Sequence, residues 1–204
     1  MSVEIFIARH GQNIDNVSGI LNGHRDLPLT EIGIQQAHDL ADGIEAAGLT
    51  FNAVYSSPLS RAHETAKIVC RALGIELPPV VLPELIERDF GLATGRPIQE
   101  VVQEAGSNVI KTDSVTYVID FEGGESFPRA LERAHRALER VHYLQQDGKA
   151  LLVCHGDIGK MVYAAATGKP WEAVLRDFHF GNCDLIEVNS NDSTHKVQLP
   201  QHNL

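Results

Sequence analysis

Two stretches of this chain, "VEIFIA" at 3–8 and "KALLVCHG" at 149–156, are apolar at almost every position, and each runs into a histidine followed by a glycine. A strand with one wet face alternates polar and apolar residues. These two do not, so both belong inside a sheet that is covered on both sides. The intervening segments supply the covers. Thr30 stands where a helix N-cap belongs, ahead of apolar positions at Ala37, Leu40, Ala41 and Ile44 and a terminating Gly48. "FNAVYSS" reads as a second strand, Pro58 opens a helix through Ile68, Val69 and Leu73 that Gly74 closes, and "PVVLPEL" is a short third strand limited by its prolines. Ser126 caps a long helix with a stripe at Leu131, Ala134, Leu138 and Val141. After the strand at 149–156 a helix runs to Gly168. "CDLIEV" and "HKVQL" then close the fold as strands joined by the turn "NSND", and the tail beyond Leu199 is expected to be loose.

This alternation implies an α/β fold around a mainly parallel sheet with helices on both faces. Residues 90–125 are the least regular part, and we expect them to form a short cap or insertion over one end of the sheet within a single domain spanning 1–204. Composition narrows the partners. A formal net charge of −10 disfavours nucleic acid or an anionic membrane, both of which need a basic face, while leaving room for a small anion held by a local cation cluster. No apolar run reaches bilayer-spanning length, and "MSVEIFIAR" carries an acid where a signal peptide would be basic, so a cytoplasmic protein is expected. The three cysteines, Cys70, Cys154 and Cys183, are scattered without CxxC spacing, which suits free thiols rather than disulfides or zinc. The sequence leaves the oligomeric state open.

In open parallel sheets ligands sit beyond the carboxyl ends of the strands, where His10 and His155 would meet. The glycine after each, Gly11 and Gly156, is expected to let backbone approach a ligand and leave amide donors free. "YSSPLSRAHETA" puts Arg61 in the first turn of the helix after the second strand, at the same end of the sheet. Arg9, Arg61 and two histidines then form a site for a phosphoryl group. "ELIERDFG" adds Glu87 as a proton donor. Either "RHG" or "CHGD" alone carries little weight; their combination in order, each at a strand end, is specific. Cys154 is expected to be an inert thiol on a buried strand face, and His38, His63, His135 and His142 to be surface or half-buried helix residues. His24 and His179 are unassigned candidates for the substrate mouth.

Taken together, "ARHGQNIDN", "LTEIGIQQA", "YSSPLSRAHETA", "ELIERDFG", "GGES" and "LLVCHGD" resemble the histidine phosphatase superfamily, which includes the cofactor-dependent phosphoglycerate mutases. The resemblance spans nearly the whole chain. It implies a three-layer α/β/α sandwich, His10 as nucleophile, and Glu87 as acid/base. It further implies Arg9, Arg61 and His155 as the phosphate pocket, with Asn16 as an additional contact and Gly156 beside it. The expected activity is phosphomonoester hydrolysis of a small phosphorylated metabolite through a phosphohistidine, with no metal and no cofactor. Two alternatives stand beside it: a phosphoglycerate mutase, and a catalytically silent module that binds phosphorylated ligands. Hydrolysis is preferred because residues 89–125 offer only Arg96 and Lys111 as cations. Against them stand Asp89, Glu100, Glu104, Asp113, Asp120, Glu122 and Glu125, which would repel a second anionic group; Arg88 is the nearby cation that could offset them.

Overall fold

The computed structural model describes residues 3–113, 115–188 and 195–197. In chain order these form β1 (Glu4–Arg9), α1 (Ile14–Ser18), α2 (Glu31–Ala46), β2 (Ala53–Ser56), α3 (Ser60–Ala72), β3 (Val80–Val81), α4 (Ile98–Ala105), β4 (Val109–Lys111), β5 (Thr116–Val118), α5 (Phe127–Leu144), β6 (Lys149–Cys154), α6 (Gly156–Thr167), α7 (Trp171–Asp177), β7 (Leu185–Val188) and β8 (His195–Lys196). The main sheet has the order β3-β2-β6-β1-β7-β8. Its first four strands are parallel, while β7 runs antiparallel to β1 and β8 antiparallel to β7.

The period of two in the strands sorts their side chains between two layers of helix. Ile5, Ile7, Ala150, Leu152 and Cys154 share a buried cluster with Phe127, Ala130, Ala134, Ala137, Leu138 and Val141 of α5 and Ile158, Met161 and Val162 of α6. Phe6, Ala8, Leu151 and Val153 pack on the other face with Leu40, Ala41 and Ile44 of α2 and Ala62, Ala66 and Val69 of α3. This is the α/β/α sandwich that the strand–helix alternation and the resemblance imply. The caps follow the sequence signals: Thr30 Oγ1 accepts the Gly33 amide at 3.0 Å, and Ser126 accepts from Arg129. Gly168 ends α6 in the left-handed region at φ 70°.

Several boundaries differ from the sequence reading. α3 opens at Ser60, two residues after Pro58. The third strand shrinks to Val80–Val81, because Pro83 turns the chain into a 3₁₀ turn at Pro83–Leu85. In α5, Ala134, Leu138 and Val141 of the expected stripe are buried, joined by Phe127, Ala130 and Ala137, while Leu131 is only half-buried. α1 and α7, of five and seven residues, are too short to announce themselves by periodicity. Residues 90–125 are more ordered than their composition suggests. They hold α4, the β4–β5 hairpin and a small core of Phe90, Ala93, Val101 and Val118. The "NSND" turn and the tail beyond Leu199 lie outside the described residues.

The loop leaving β1 is pinned to the start of α2 by two glycines. A Cβ on Gly11 would lie 2.3 Å from the Gly33 carbonyl oxygen, and one on Gly33 would lie 2.0 Å from that of Gln12. Gly33→Ala is therefore expected to cost about 1–3 kcal/mol in chemical denaturation, since backbone must shift to admit a methyl group. The exposed neighbour Ile32→Ala should stay within about 0.5 kcal/mol. Equal effects at the two positions would refute this close approach.

Candidate active site

β1 and β6 pair residue for residue, from Glu4 with Lys149 to Arg9 with Cys154. The His10 amide then donates to the Cys154 carbonyl at 3.0 Å. The two strands thus end in step, and the rings of His10 and His155 stand edge-on with centroids 5.0 Å apart. Both histidines are buried. His10 Nδ1 lies 2.6 Å from the Gly11 carbonyl oxygen, which can only accept, so this nitrogen carries the proton and Nε2 carries the lone pair. Arg61 Nε donates to that lone pair at 3.2 Å. The other Arg61 nitrogens are fixed by the carbonyls of Arg25 and Gly23, at 2.6 and 3.0 Å, and the guanidinium is fully buried.

Arg9 Nη1 donates to the Phe180 carbonyl at 3.1 Å, while its Nε is buried without a protein partner among the described residues. His155 Nε2 is 2.7 Å from Ser57 Oγ, and its Nδ1 is the second buried atom without a partner among the described residues. Burial of an unsatisfied polar atom costs free energy, so these two, on residues flanking His10, are candidate donors to a bound anion. Asn16 lies at the same cleft. Its Oδ1 accepts from the Asn13 amide and from Asn182, which also holds the His10 carbonyl at 2.8 Å.

Glu87 completes the constellation through the start of α6. Its Oε1 accepts the amides of Arg88 and Ile158 at 2.8 and 3.1 Å, and Oε2 accepts that of Asp157 at 3.3 Å. Arg133 grips the segment by the carbonyls of Glu84 and Ile86, and His24 Nε2 donates to the Glu87 carbonyl at 2.8 Å. Gly156 lines the cleft between Arg9 and Glu87. Burial, reinforced by Arg61 and Arg9, holds His10 well below its ordinary pKa of 6.5. His155 is lowered in the same way, by burial and then by Arg61, His10, Arg9 and Arg133. Burial and the Asp157 carboxylate raise Glu87, against the pull of its backbone hydrogen bonds and of Arg61. The site therefore presents a neutral imidazole, fixed cations, and a carboxyl group that keeps its proton closer to neutrality than a free glutamic acid does.

All seven residues singled out from the sequence line this cleft of about 240 Å³ or, for His155, stand buried against His10. Three expectations about their surroundings need correction. The Gly11 amide is not free for a ligand: it donates to Thr65 Oγ1, and the glycine is required by its packing on Gly33. The amides of Asp157 and Ile158 at the start of α6 are taken up by Glu87. Nor do the acids of residues 89–125 face the cleft. Glu100 and Glu104 pair with Arg96, Glu125 with Arg133, and none of the seven lines it. Arg88 is also withdrawn, ion-paired to Asp157 at 2.8 Å and enclosed by the rings of Phe90, Phe121 and Phe127.

Of the open histidines, His179 lines the cleft; His38, His63, His135 and His142 do not. The Cys154 thiol is buried in the α5–α6 core, which pushes its pKa strongly upward. Sequence reasoning missed Ser57, Asn182, Arg133 and Lys160. The last had a visible signal, a lysine inside the otherwise apolar run of α6.

The fold and the order of these residues agree with one family: the chain belongs to the histidine phosphatase superfamily (branch 1), whose model matches residues 5–202. It is 32% identical over 191 residues to the "Probable phosphoglycerate mutase GpmB" of Yersinia pestis, covering 94% of this chain and 86% of that one. Among solved structures it is similar to a "putative alpha-ribazole-5'-P phosphatase" from Escherichia coli, with a TM-score of 0.75, 28% identity and 96% of each chain covered. Mycobacterial glucosyl-3-phosphoglycerate phosphatase shares the fold at a TM-score of 0.75 and 22% identity, over 91% of this chain and 92% of that one.

The two unpartnered atoms yield a binding prediction. Millimolar inorganic phosphate should raise Tm in a thermal melt, and the shift should largely vanish in Arg9→Met and in His155→Ala. An unchanged shift in both variants would place the anion elsewhere.

Proposed function

We propose that this protein is a phosphomonoester hydrolase that acts on a small phosphorylated metabolite through a phosphohistidine at His10. The observation that carries the reading is the His10 lone pair in one site with two buried nitrogens, Arg9 Nε and His155 Nδ1, that have no partner among the described residues. A phosphoryl group placed there takes Nε2 as its new ligand while its equatorial oxygens accept from Arg9, Arg61 and His155. The Gly11 carbonyl supports the proton on Nδ1 as positive charge develops on the ring. For the second donor to face phosphate, His155 carries its proton on Nδ1, and the Ser57 hydroxyl donates to Nε2. Glu87 protonates the departing alkoxide, then takes a proton from the water that attacks phosphorus and returns His10 to its neutral state. Among the described residues no group of three or more His, Cys, Asp or Glu side chains stands close enough to hold a metal ion.

The likeness to a phosphoglycerate mutase favours a second reading, in which the phosphoryl group returns to an acceptor instead of water. That reaction holds a bisphosphorylated intermediate, which requires cations for two phosphates. Arg96 is committed to Glu100 and Glu104, and Lys111 does not line the cleft. This absence of cap cations, rather than repulsion by cap acids, supports hydrolysis.

Rapid quench with a labelled phosphomonoester should trap an acid-labile, base-stable adduct that His10→Ala abolishes together with turnover. Full turnover in that variant would refute the mechanism, and 3-phosphoglycerate isomerisation outpacing phosphate release on every metabolite tested would favour the mutase.

The pKa shifts set the pH profile. Lowering His10 moves the acid limb of kcat/KM below 6.5, and raising Glu87 moves the alkaline limb above 4.5, so the window with His10 neutral and Glu87 protonated widens on the acid side of neutrality. Glu87→Gln should remove the alkaline limb and cost about 10²–10⁴-fold on glycerol 3-phosphate, but far less on p-nitrophenyl phosphate. Equal losses on the two substrates would exclude Glu87 as the acid. Activity should withstand chelators throughout.

A further inference from the structure

Three lysine and arginine side chains line the cleft. Arg9 and Arg61 both act on His10; Lys160, on α6, is assigned to nothing in the proposed reaction. It is 4% exposed, and its Nζ donates to the Phe178 carbonyl while lying 5.1 Å from the centre of the Phe178 ring and 5.9 Å from that of Tyr117. An ammonium group has three donors. One is used here, and among the described residues no carboxylate lies within ion-pairing distance of it. The charges that act on it are those of Asp157, Arg9, Asp184 and Glu87, and burial draws its pKa down to about 8. Asp157, which also lines the cleft, is already paired with Arg88. A buried ammonium with donors to spare and no counter-ion of its own is costly to keep, unless a ligand brings the anion.

The cleft also has an apolar wall. Ile20, Leu21, Ile98 and Val115 line it together with the rings of Phe90 and Tyr117. A leaving group rich in hydroxyls, such as a bare sugar, would set some of them against this apolar wall and bring no anion to Lys160.

We propose that Lys160 reads a carboxylate on the leaving group, so that the substrate is a phosphomonoester whose alcohol combines an apolar body with a single carboxylate. This deepens the phosphatase reading and rests on it. One ammonium matches one carboxylate, whereas a second phosphate dianion would meet the same single cation with Asp157 nearby. The arrangement thus selects among monophosphates rather than favouring a bisphosphate.

Binding of non-hydrolysable phosphonates tests the proposal without requiring turnover. The probes are phenylphosphonate against 3-carboxyphenylphosphonate and propylphosphonate against 3-phosphonopropionate, titrated calorimetrically into the wild type, Lys160→Met and Lys160→Arg. In the wild type the carboxylate should tighten the aryl pair at least tenfold and the alkyl pair less, because only the aryl body covers the apolar wall. Lys160→Met should reduce the aryl gain below threefold, and Lys160→Arg should keep most of it. Should Lys160→Met not fold, Lys160→Gln, which keeps a donor for the Phe178 carbonyl, takes its place. No tightening by the carboxylate in the wild type, or equal tightening with and without the lysine, overturns the proposal. Failure of the phosphatase reading looks different: carboxylated phosphonates would still bind through Lys160 while phosphomonoesters went unhydrolysed.

Discussion

The structure depends on one register. Six consecutive residues of β1 pair in parallel with six of β6, ending with Arg9 opposite Cys154, and the next amide, that of His10, continues the ladder. A slip of one residue would turn Ile5 and Ile7 into the wrong helical layer and expose or bury every strand side chain on the opposite face. It would also separate the two imidazoles. The register is held because both faces of both strands are buried: Phe6 and Leu151 toward α2 and α3, Ile7 and Leu152 toward α5 and α6. The hydrophobic core and the geometry of the candidate site are therefore settled by the same pairing.

What this frame supports is electrostatically expensive. Among the described residues Arg61 is fully buried with only carbonyls and an imidazole as hydrogen-bond partners, and Arg9 Nε and His155 Nδ1 have none. Such groups destabilise the fold unless an anion arrives, which is the differential a phosphoryl site needs: the unfavourable terms fall when negative charge is bound. The same field keeps His10 neutral, while burial and the nearby Asp157 keep Glu87 toward its protonated form. Contrast Arg88. It is equally buried, yet it is paired to Asp157 and enclosed by aromatic rings, and it belongs to the scaffold.

The cap shows where charge counting along a sequence misleads. Seven acids between residues 89 and 125 suggest a repulsive mouth, but none of them lines the cleft, and Glu100, Glu104, Glu125 and Asp89 are turned to Arg96, to Arg133 and to the Gly91 amide. What the cap does bring to the cleft is apolar surface from Phe90, Ile98, Val115 and Tyr117. A count of charges carries no directions, and an eight-residue helix with two three-residue strands leaves too few periods to read them from the pattern.

The sequence by itself determined the strands, the chief helices and the residues that gather at the strand ends. Apolar runs too long to be wet on one side have to be central, and histidines, arginines and a glutamate placed just beyond strands or at a helix start have to meet at one edge of a parallel sheet. Only the tertiary structure decided the partners. Ser57 and Asn182 become neighbours of the two histidines through β2–β6 pairing and the turn before β7, across 98 and 172 residues of chain. Gly11 is a packing residue because α2 begins against it, and Lys160 has no ion pair among the described residues because burial beside Phe178 keeps the surrounding acids at a distance. Spacing along the chain encodes local periodicity, whereas burial, and with it the cost of an unpaired charge, exists only once distant segments have excluded water from one another.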